Sequence, residues 1–271
     1  MNARSVAAWS AACLFIVLFT TNPAYKVMVL AAAIASLAAG AGLHRMRGLL
    51  TAVALIAALA TALNFVSAHL GTTTLFTLPQ AIPALGGPYT LEALTAGLNG
   101  GITVATAIVA AAPFSLLLAA HDVMDALPRT LSRTGAGIAA SLNLVPSVAA
   151  SFVQVTEAQR LRGWRPRGPR SWSEVIVPVV LTSVEDSIQL AESMEARGFG
   201  SGPRTSLKAP TLKTTDWLLI AASALAVTGF IAGRAADWYP YPTLTAPTVS
   251  IIPFAACLLL FAPVLVWRSR A

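Results

Sequence analysis

The chain has 271 residues, of which 56% are hydrophobic and only 11% are charged, and its mean hydropathy is +0.71. Soluble domains carry about 25% charged residues, so the composition argues against a soluble domain and predicts a polytopic membrane protein. The net charge of +7 fits the positive residues that membrane proteins gather on their cytoplasmic side, and we expect no nucleic-acid partner. Both cysteines lie in apolar runs, which indicate neither a disulfide framework nor a metal site.

Six apolar runs predict an all-α chain with about six transmembrane helices. In chain order the runs cover residues 6–20, 27–43, 49–70, 91–120, 217–231 and 249–267. A helix needs about 20 residues to cross the hydrocarbon core, so the first and fifth runs are short for a span. We expect the first run to be retained and not cleaved as a signal peptide, because no small-x-small cleavage site follows it.

The positive residues predict how these helices are oriented. With the amino terminus in the cytoplasm, the basic residues after the second and sixth runs also fall inside, namely Arg45, Arg47, Arg268 and Arg270. The segment 71–90 contains no charged residue and falls outside. The positive-inside rule therefore predicts six spans with both termini in the cytoplasm.

Residues 121–213 differ in composition from the rest of the chain. These 93 residues hold 11 of the 18 basic and 8 of the 11 acidic residues. One stretch, 135–155, has no charge, but reading it as a span would carry five arginines outside. We therefore predict three segments: transmembrane helices 1–4 in residues 1–120, a cytoplasmic helical region in 121–213, and transmembrane helices 5–6 in 214–271.

Two peptides in the charged region share a pattern. EAQRLRGW occupies residues 157–164, SMEARGFG occupies residues 193–200, and each contains an Arg-Gly pair, at residues 162–163 and 197–198. Glycine just past a helix, with arginine in the last turn, is a common helix terminus, so either pair alone has a structural explanation. The repetition favours a second role, because the planar five-donor fork of arginine suits a groove in a protein partner.

Apolar positions at helical spacing predict that each peptide ends a helix. The first stripe consists of Val148, Phe152 and Val155, and the second of Leu181, Val184, Ile188 and Ala191. Acidic and amide side chains on the other side make the second helix amphipathic. Ser171 and Glu174 have the spacing of a capping box, which predicts that the second helix begins near Ser171.

AQRLRG (158–163) and MEARGFG (194–200) resemble the paired Ala-Arg-Gly motifs of the energy-coupling-factor (ECF) transporter T component, the EcfT/CbiQ family. Residues 127–159 are similar to the run that precedes the first motif in that family. The second motif is intact, whereas Leu161 replaces the usual alanine of the first. NPAYK (22–26) lies near where the family often has Asp-Pro-Arg-x-Lys, with asparagine in place of aspartate and alanine in place of arginine.

The resemblance implies a scaffold for a vitamin or metal-ion importer in the bacterial plasma membrane. Two coupling helices would dock into two cytoplasmic ABC ATPase subunits, and a separate membrane S component would bind the substrate. The docking residues implied are Arg160, Arg162, Gly163, Glu195, Ala196, Arg197 and Gly198. The chain itself would be neither an enzyme nor a cofactor-binding protein. No lysine follows a glycine, so the sequence has no phosphate-binding Gly-Lys-Ser/Thr loop, and ATP would be hydrolysed by a partner.

Two other classes of protein remain open at this point. An intramembrane enzyme acting on lipid or prenyl substrates would need converging acidic or histidine side chains, for which the candidates are Asp122, Asp125, Glu185 and Asp186. These residues form no Asp-Asp-x-x-Asp metal motif. A stand-alone secondary transporter would show inverted repeats with broken helices, and no such symmetry is visible.

Several polar side chains have less specific explanations. His69 and His121 have no second ligand at helical spacing and are expected to be solvated or hydrogen-bonded. Asn64 and Asn99, in or near spans, are expected to form interhelical hydrogen bonds. Anionic lipid is an alternative partner for the basic residues outside the two motifs, namely Arg165, Arg167 and Arg170.

Overall fold

The computed structural model describes residues 2–68, 70–79, 86–118, 132–199, 212–233 and 237–268, and most of them are helical. In chain order the helices are α1 (Ala3–Phe19), α2 (Pro23–Ala41), α3 (Leu43–Ser67), α4 (Leu91–Leu116), α5 (Ser132–Leu161), α6 (Ser173–Ala196), α7 (Thr214–Ala232), α8 (Ile251–Leu258) and α9 (Ala262–Arg268). One antiparallel hairpin, β1 (Thr74–Leu78) with β2 (Gly87–Thr90), joins α3 to α4. The fold is that of an all-α polytopic membrane protein, as the composition predicts.

Four helices in the described part of the chain are long and apolar enough to cross a membrane. These candidate spans are Pro23–Gly40, Met46–Ser67, Leu91–Pro113 and Thr214–Ala232. Two shorter apolar helical segments, Ala3–Phe19 and Ile251–Val266, correspond to the first and sixth predicted runs. The fifth run, short in the sequence, belongs to a helix of 19 residues. Each of the six runs contains a helix within the described residues, and the count of six spans stays a prediction.

The chain forms two compact units. One consists of Met1–Val123 with Leu212–Ala271, and the other of Met124–Thr211. The first unit therefore contains helices from both ends of the sequence. The three segment bounds predicted from the charge pattern stay a prediction.

Helix α1 lies in the core of the first unit. Val6, Cys13 and Ile16 are fully buried, and α1 packs against α4 and α7. The indole Nε1 of Trp9 donates a hydrogen bond to the carbonyl of Leu260, at 3.0 Å. Helix α1 is thus an integral part of this core, and its retention stays a prediction.

The peptide NPAYK begins α2 and ties it to two other parts of the first unit. Buried Asn22 caps the helix by accepting from the amide of Ala24 at 3.0 Å, and Pro23 occupies the first turn, where its missing N–H costs nothing. The amide of Asn22 also donates to the carbonyl of Thr248 at 2.7 Å. Lys26 Nζ donates to Thr103 Oγ1 of α4 at 2.8 Å. Asparagine thus serves as cap and tether at this position.

Small residues let α3 and α4 approach closely. A methyl group built on Gly97 would lie 2.8 Å from the carbonyl oxygen of Thr61, and one on Gly101 would lie 2.8 Å from that of Ala57. Close approach of this kind is how membrane helices associate, since lipid supplies no hydrophobic drive between them. A methyl group built on Gly100, one residue before Gly101, would have no neighbour within 4 Å.

Candidate functional site

The helices α5 and α6 of the second unit end in the same backbone geometry. At the end of α5, Gly163 N–H donates to the carbonyl of Arg160 at 3.0 Å, and Trp164 N–H donates to that of Gln159 at 3.0 Å. Gly163 has φ +85°, which an L side chain rarely adopts. This pair of bonds across a left-handed glycine is a Schellman motif.

The end of α6 repeats this arrangement. Gly198 N–H donates to the carbonyl of Glu195 at 2.8 Å, Phe199 N–H donates to that of Met194 at 3.0 Å, and Gly198 has φ +72°. The prediction that both helices stop at these glycines is confirmed. Arg162 and Arg197 therefore occupy equivalent positions, each directly before the left-handed glycine.

An aromatic residue follows the glycine at both helix ends. Trp164 and Phe199 occupy the position whose amide closes the Schellman motif. A hydrophobic residue is common there because it contacts the preceding turn. The signal was available in the sequence as Arg-Gly-Trp and Arg-Gly-Phe.

The predicted docking residues are exposed. Arg160, Arg162, Gly163, Glu195, Ala196, Arg197 and Gly198 all lie at the surface of the chain. Leu161, which replaces the usual alanine, is 90% exposed. Within the described residues, neither Arg162 nor Arg197 forms an ion pair. Both guanidinium groups are therefore available to a partner.

Aromatic packing holds the end of α5 against the beginning of α6. Trp172 stacks on Phe152 of α5 with ring centroids 6.0 Å apart, and Trp164 packs edge-on against Trp172 at 5.3 Å. The indole N–H of Trp164 donates to the carbonyl of Ser171 at 3.1 Å. The first Arg-Gly motif is therefore fixed near the amino terminus of α6.

The beginning of α6 differs from the prediction. The helix begins at Ser173, after a 3-10 turn over Pro169–Trp172, and no side chain caps it. Ser171 Oγ instead donates to the carbonyl of Gly168 at 2.7 Å and accepts from the amide of Arg167 at 3.1 Å. The capping box at Ser171 and Glu174 is therefore wrong, because the serine closes the local turn that Gly168 and Pro169 begin.

The length of α6 separates the two Arg-Gly motifs. The first lies near the beginning of the helix, where Gln159 Nε2 donates to the carbonyl of Glu174 at 3.2 Å, and the second lies at its end. The helix has 24 residues, and at 1.5 Å per residue it spans about 36 Å. The two motifs thus lie near opposite ends of α6 and do not form one compact site.

One face of α6 exposes a continuous apolar stripe. It consists of Ile176, Val177, Val180, Leu181, Val184 and Ile188, each about half exposed. Exposed apolar patches of this extent mark interaction sites with protein or membrane. Two acidic candidates for the enzyme alternative lie on the same helix, where Glu185 is exposed and Asp186 is partly buried.

The loop from α5 to α6 carries the basic residues outside the motifs. Arg165, Arg167 and Arg170 are exposed, and residues 167–171 line an open depression of about 560 Å³. This loop lies close to the first Arg-Gly motif in sequence. It supplies a set of arginines against which the role of Arg162 can be compared.

The other candidates do not form a site in the described part of the chain, which contains no group of three or more His, Cys, Asp or Glu residues that could hold a metal. His69, His121, Asp122 and Asp125 lie outside the described residues. The amide of Asn99 donates to the carbonyl of Thr21 at 2.8 Å, so it joins two elements of the first unit as a structural hydrogen bond.

The apolar helices define a polytopic membrane protein. The family model of the cobalt transport protein CbiQ matches residues 1–207, a segment that contains both Arg-Gly motifs. The chain belongs to this family, the EcfT/CbiQ family that the motifs resemble. No curated protein matches the chain.

Proposed function

We propose that the chain is the T component of an ECF-type ABC importer. In this role it is a scaffold without catalytic activity of its own, and it couples ATP hydrolysis by two cytoplasmic ABC ATPase subunits to uptake through a substrate-binding S component. The observation that carries the proposal is the repeated helix end, in which Arg162 and Arg197 hold equivalent exposed positions. Membership of the CbiQ family supports a transport role.

The separation of the motifs supports one contact for each ATPase. A span of about 36 Å between the two ends of α6 is larger than a single groove for one side chain, and it suits two neighbouring subunits. Arginine binds carboxylate groups through two parallel hydrogen bonds, so an acidic groove is the chemistry that each motif fits. The docking residues proposed are those of the two motifs and their last turns, from Arg160 to Gly163 and from Glu195 to Gly198.

The apolar stripe of α6 supports the third partner. A helix that faced only water would not expose six large aliphatic side chains on one face. A membrane-embedded S component is a partner with the matching apolar surface. Movement of α6 by the ATPases would then reach that component directly.

We place the protein in the bacterial plasma membrane with both termini in the cytoplasm. The positive-inside rule supports this orientation. Arg4 lies at the beginning of α1 and Arg47 near the beginning of α3, and two crossings of the membrane between them return the chain to the same side. The same rule puts the arginine-rich second unit on the cytoplasmic side of the membrane, where its helices can reach both the ATPase subunits and the membrane surface.

Co-purification tests the proposal. The tagged chain is co-expressed with the ABC ATPases and small membrane proteins of its genome, and the complex is assayed for ATP hydrolysis. We expect two ATPase polypeptides and one small membrane protein to co-purify, with hydrolysis dependent on the ATPases. The purified chain alone should turn over neither ATP nor lipid or prenyl substrates. Turnover by the lone chain would support the enzyme alternative and contradict the scaffold.

A further inference from the structure

The hairpin between α3 and α4 is an apolar surface element with no charge. Segment 71–90 contains no charged residue, and every residue of β1 is exposed. Its large side chains are exposed: Leu75 is 52% exposed, Phe76 49% and Leu78 36%. Such a strand in water would be a site of aggregation, so its surroundings need an explanation.

A buried carboxylate fixes the base of the hairpin to α4. Glu92 is fully buried, and its Oε1 accepts hydrogen bonds from the amide and hydroxyl of Thr73, at 3.1 and 2.6 Å, and from those of Thr72, at 3.3 and 3.1 Å. A methyl group on Gly71 would lie 2.6 Å from Glu92 Oε2, so glycine is required for this approach. The hairpin is therefore anchored and not a free loop.

The loop after α7 closes over the same carboxylate. The Thr72 hydroxyl, which donates to Glu92, also lies 3.4 Å from the carbonyl oxygen of Pro242. The pKa of the Tyr241 hydroxyl is raised, chiefly by burial and further by the nearby Glu92 carboxylate. The base of the hairpin is thus held from two sides.

Aromatic side chains hold β1 and β2 over the end of α3. Phe76 stacks on Tyr89 of β2 with ring centroids 4.7 Å apart, and Tyr89 lies 5.2 Å from the ring of Phe65 on α3. Tyr89 is only 3% exposed, whereas Leu75 and Leu78 remain outside this cluster. The packing therefore orients the strand but does not cover its apolar side chains.

We propose that β1 lies in the membrane–water interface, with Leu75, Phe76 and Leu78 against lipid. The hairpin joins the end of the candidate span Met46–Ser67 to the beginning of Leu91–Pro113, so it lies at the level where both leave the bilayer. Because the loop has no charged side chain, bringing it to lipid carries no cost of desolvating a charge. Aromatic and aliphatic side chains favour this depth.

The backbone of β1 sets the depth of this contact. In the described residues β1 pairs only with β2, so its other edge carries unpaired N–H and C=O groups. Unpaired backbone groups are too costly for the hydrocarbon core but are satisfied by water at the interface. The hairpin therefore rests at the interface and does not cross into the core.

Spin labelling of the purified chain tests this placement. Leu75→Cys and Leu78→Cys are made in a background where buried Cys13 and Cys257 are replaced by alanine, and the labelled proteins are placed in nanodiscs of phosphatidylcholine and phosphatidylglycerol. Collision rates with oxygen, which concentrates in lipid, and with a water-soluble nickel chelate are measured. Leu59→Cys, on the exposed face of α3, is the lipid control, and Arg167→Cys is the aqueous control.

We expect the oxygen-to-nickel ratio at positions 75 and 78 to lie between the ratios of the two controls, and closer to that of the lipid control. A ratio equal to that of Arg167→Cys at both positions would show that the strand faces water, and the proposal would be wrong. Low accessibility to both reagents would show that protein, such as a second copy of this chain, covers the strand, and it would also overturn the proposal. Leu75 and Leu78 are read independently, so misfolding of one variant leaves the other as a test.

Discussion

The double variant Arg162→Glu/Arg197→Glu is expected to lose both ATPase subunits while still inserting into the membrane. Both arginines are exposed and lie outside the candidate spans, so the change leaves the first unit intact. If each guanidinium is buried against a carboxylate in the complex, breaking the pair costs about 3–5 kcal/mol. Since about 1.4 kcal/mol is tenfold in affinity, each reversed site weakens binding by roughly two orders of magnitude or more. ATPase co-purification and substrate uptake measure the effect.

The double variant Arg167→Glu/Arg170→Glu is the matched control. It removes the same number of positive charges from the neighbouring loop, outside both motifs. We expect it to retain the ATPases and uptake. Any loss of ATPase affinity should come from long-range electrostatic attraction and should disappear at high salt, which screens such attraction. If this control lost the ATPases while the Arg162/Arg197 variant kept them and drove uptake, the loop arginines would be the true contact and the assignment of the motifs would be wrong.

Gly101→Val is expected to destabilise the first unit. A Cβ at this position would lie 2.6 Å from Thr61 Oγ1 and 2.8 Å from the carbonyl oxygen of Ala57, so α3 and α4 must move apart to admit a side chain. Overpacking of this kind costs about 1–3 kcal/mol. The measurement is the midpoint of thermal unfolding in detergent, which should fall by several degrees.

Gly100→Val separates the clash from other effects of the substitution. It makes the same change one residue earlier on α4, where nothing lies within 4 Å of the added atom. Both variants change helix propensity equally, so the difference between their midpoints reports the contact between helices. Equal midpoints for the two variants would mean that α3 and α4 are not packed through Gly101.

The sequence was sufficient for the helices and for the two helix ends. Apolar runs predict α1 to α4 and α7 because burial in lipid demands continuous hydrophobicity over many residues. The Arg-Gly pairs predict their termini because glycine is the residue that adopts the left-handed conformation without strain. Both signals are local, so one sequence reveals them.

Contacts between distant residues were not predictable in the same way. The absence of charge in segment 71–90 predicts an outer loop but not a hairpin. The contacts that accompany the pairing of β1 with β2 are non-local, namely Glu92 with Thr73 and Tyr89 with Phe65. Helix α6 begins at Ser173, near the predicted Ser171, but the predicted cap is absent because the Ser171 hydroxyl closes the turn at Gly168. Both features depend on contacts between residues that the local sequence pattern does not identify.

Site-specific cross-linking tests the central claim most directly. Single cysteines at positions 162 and 197, in the background without Cys13 and Cys257, are treated with a short bifunctional reagent in the complex with the ATPases. The account predicts that each position cross-links to one ATPase polypeptide and that Arg167→Cys does so far less. If the complex forms but neither position 162 nor position 197 cross-links to an ATPase, the two helix ends are not the points of contact, and the scaffold mechanism is contradicted.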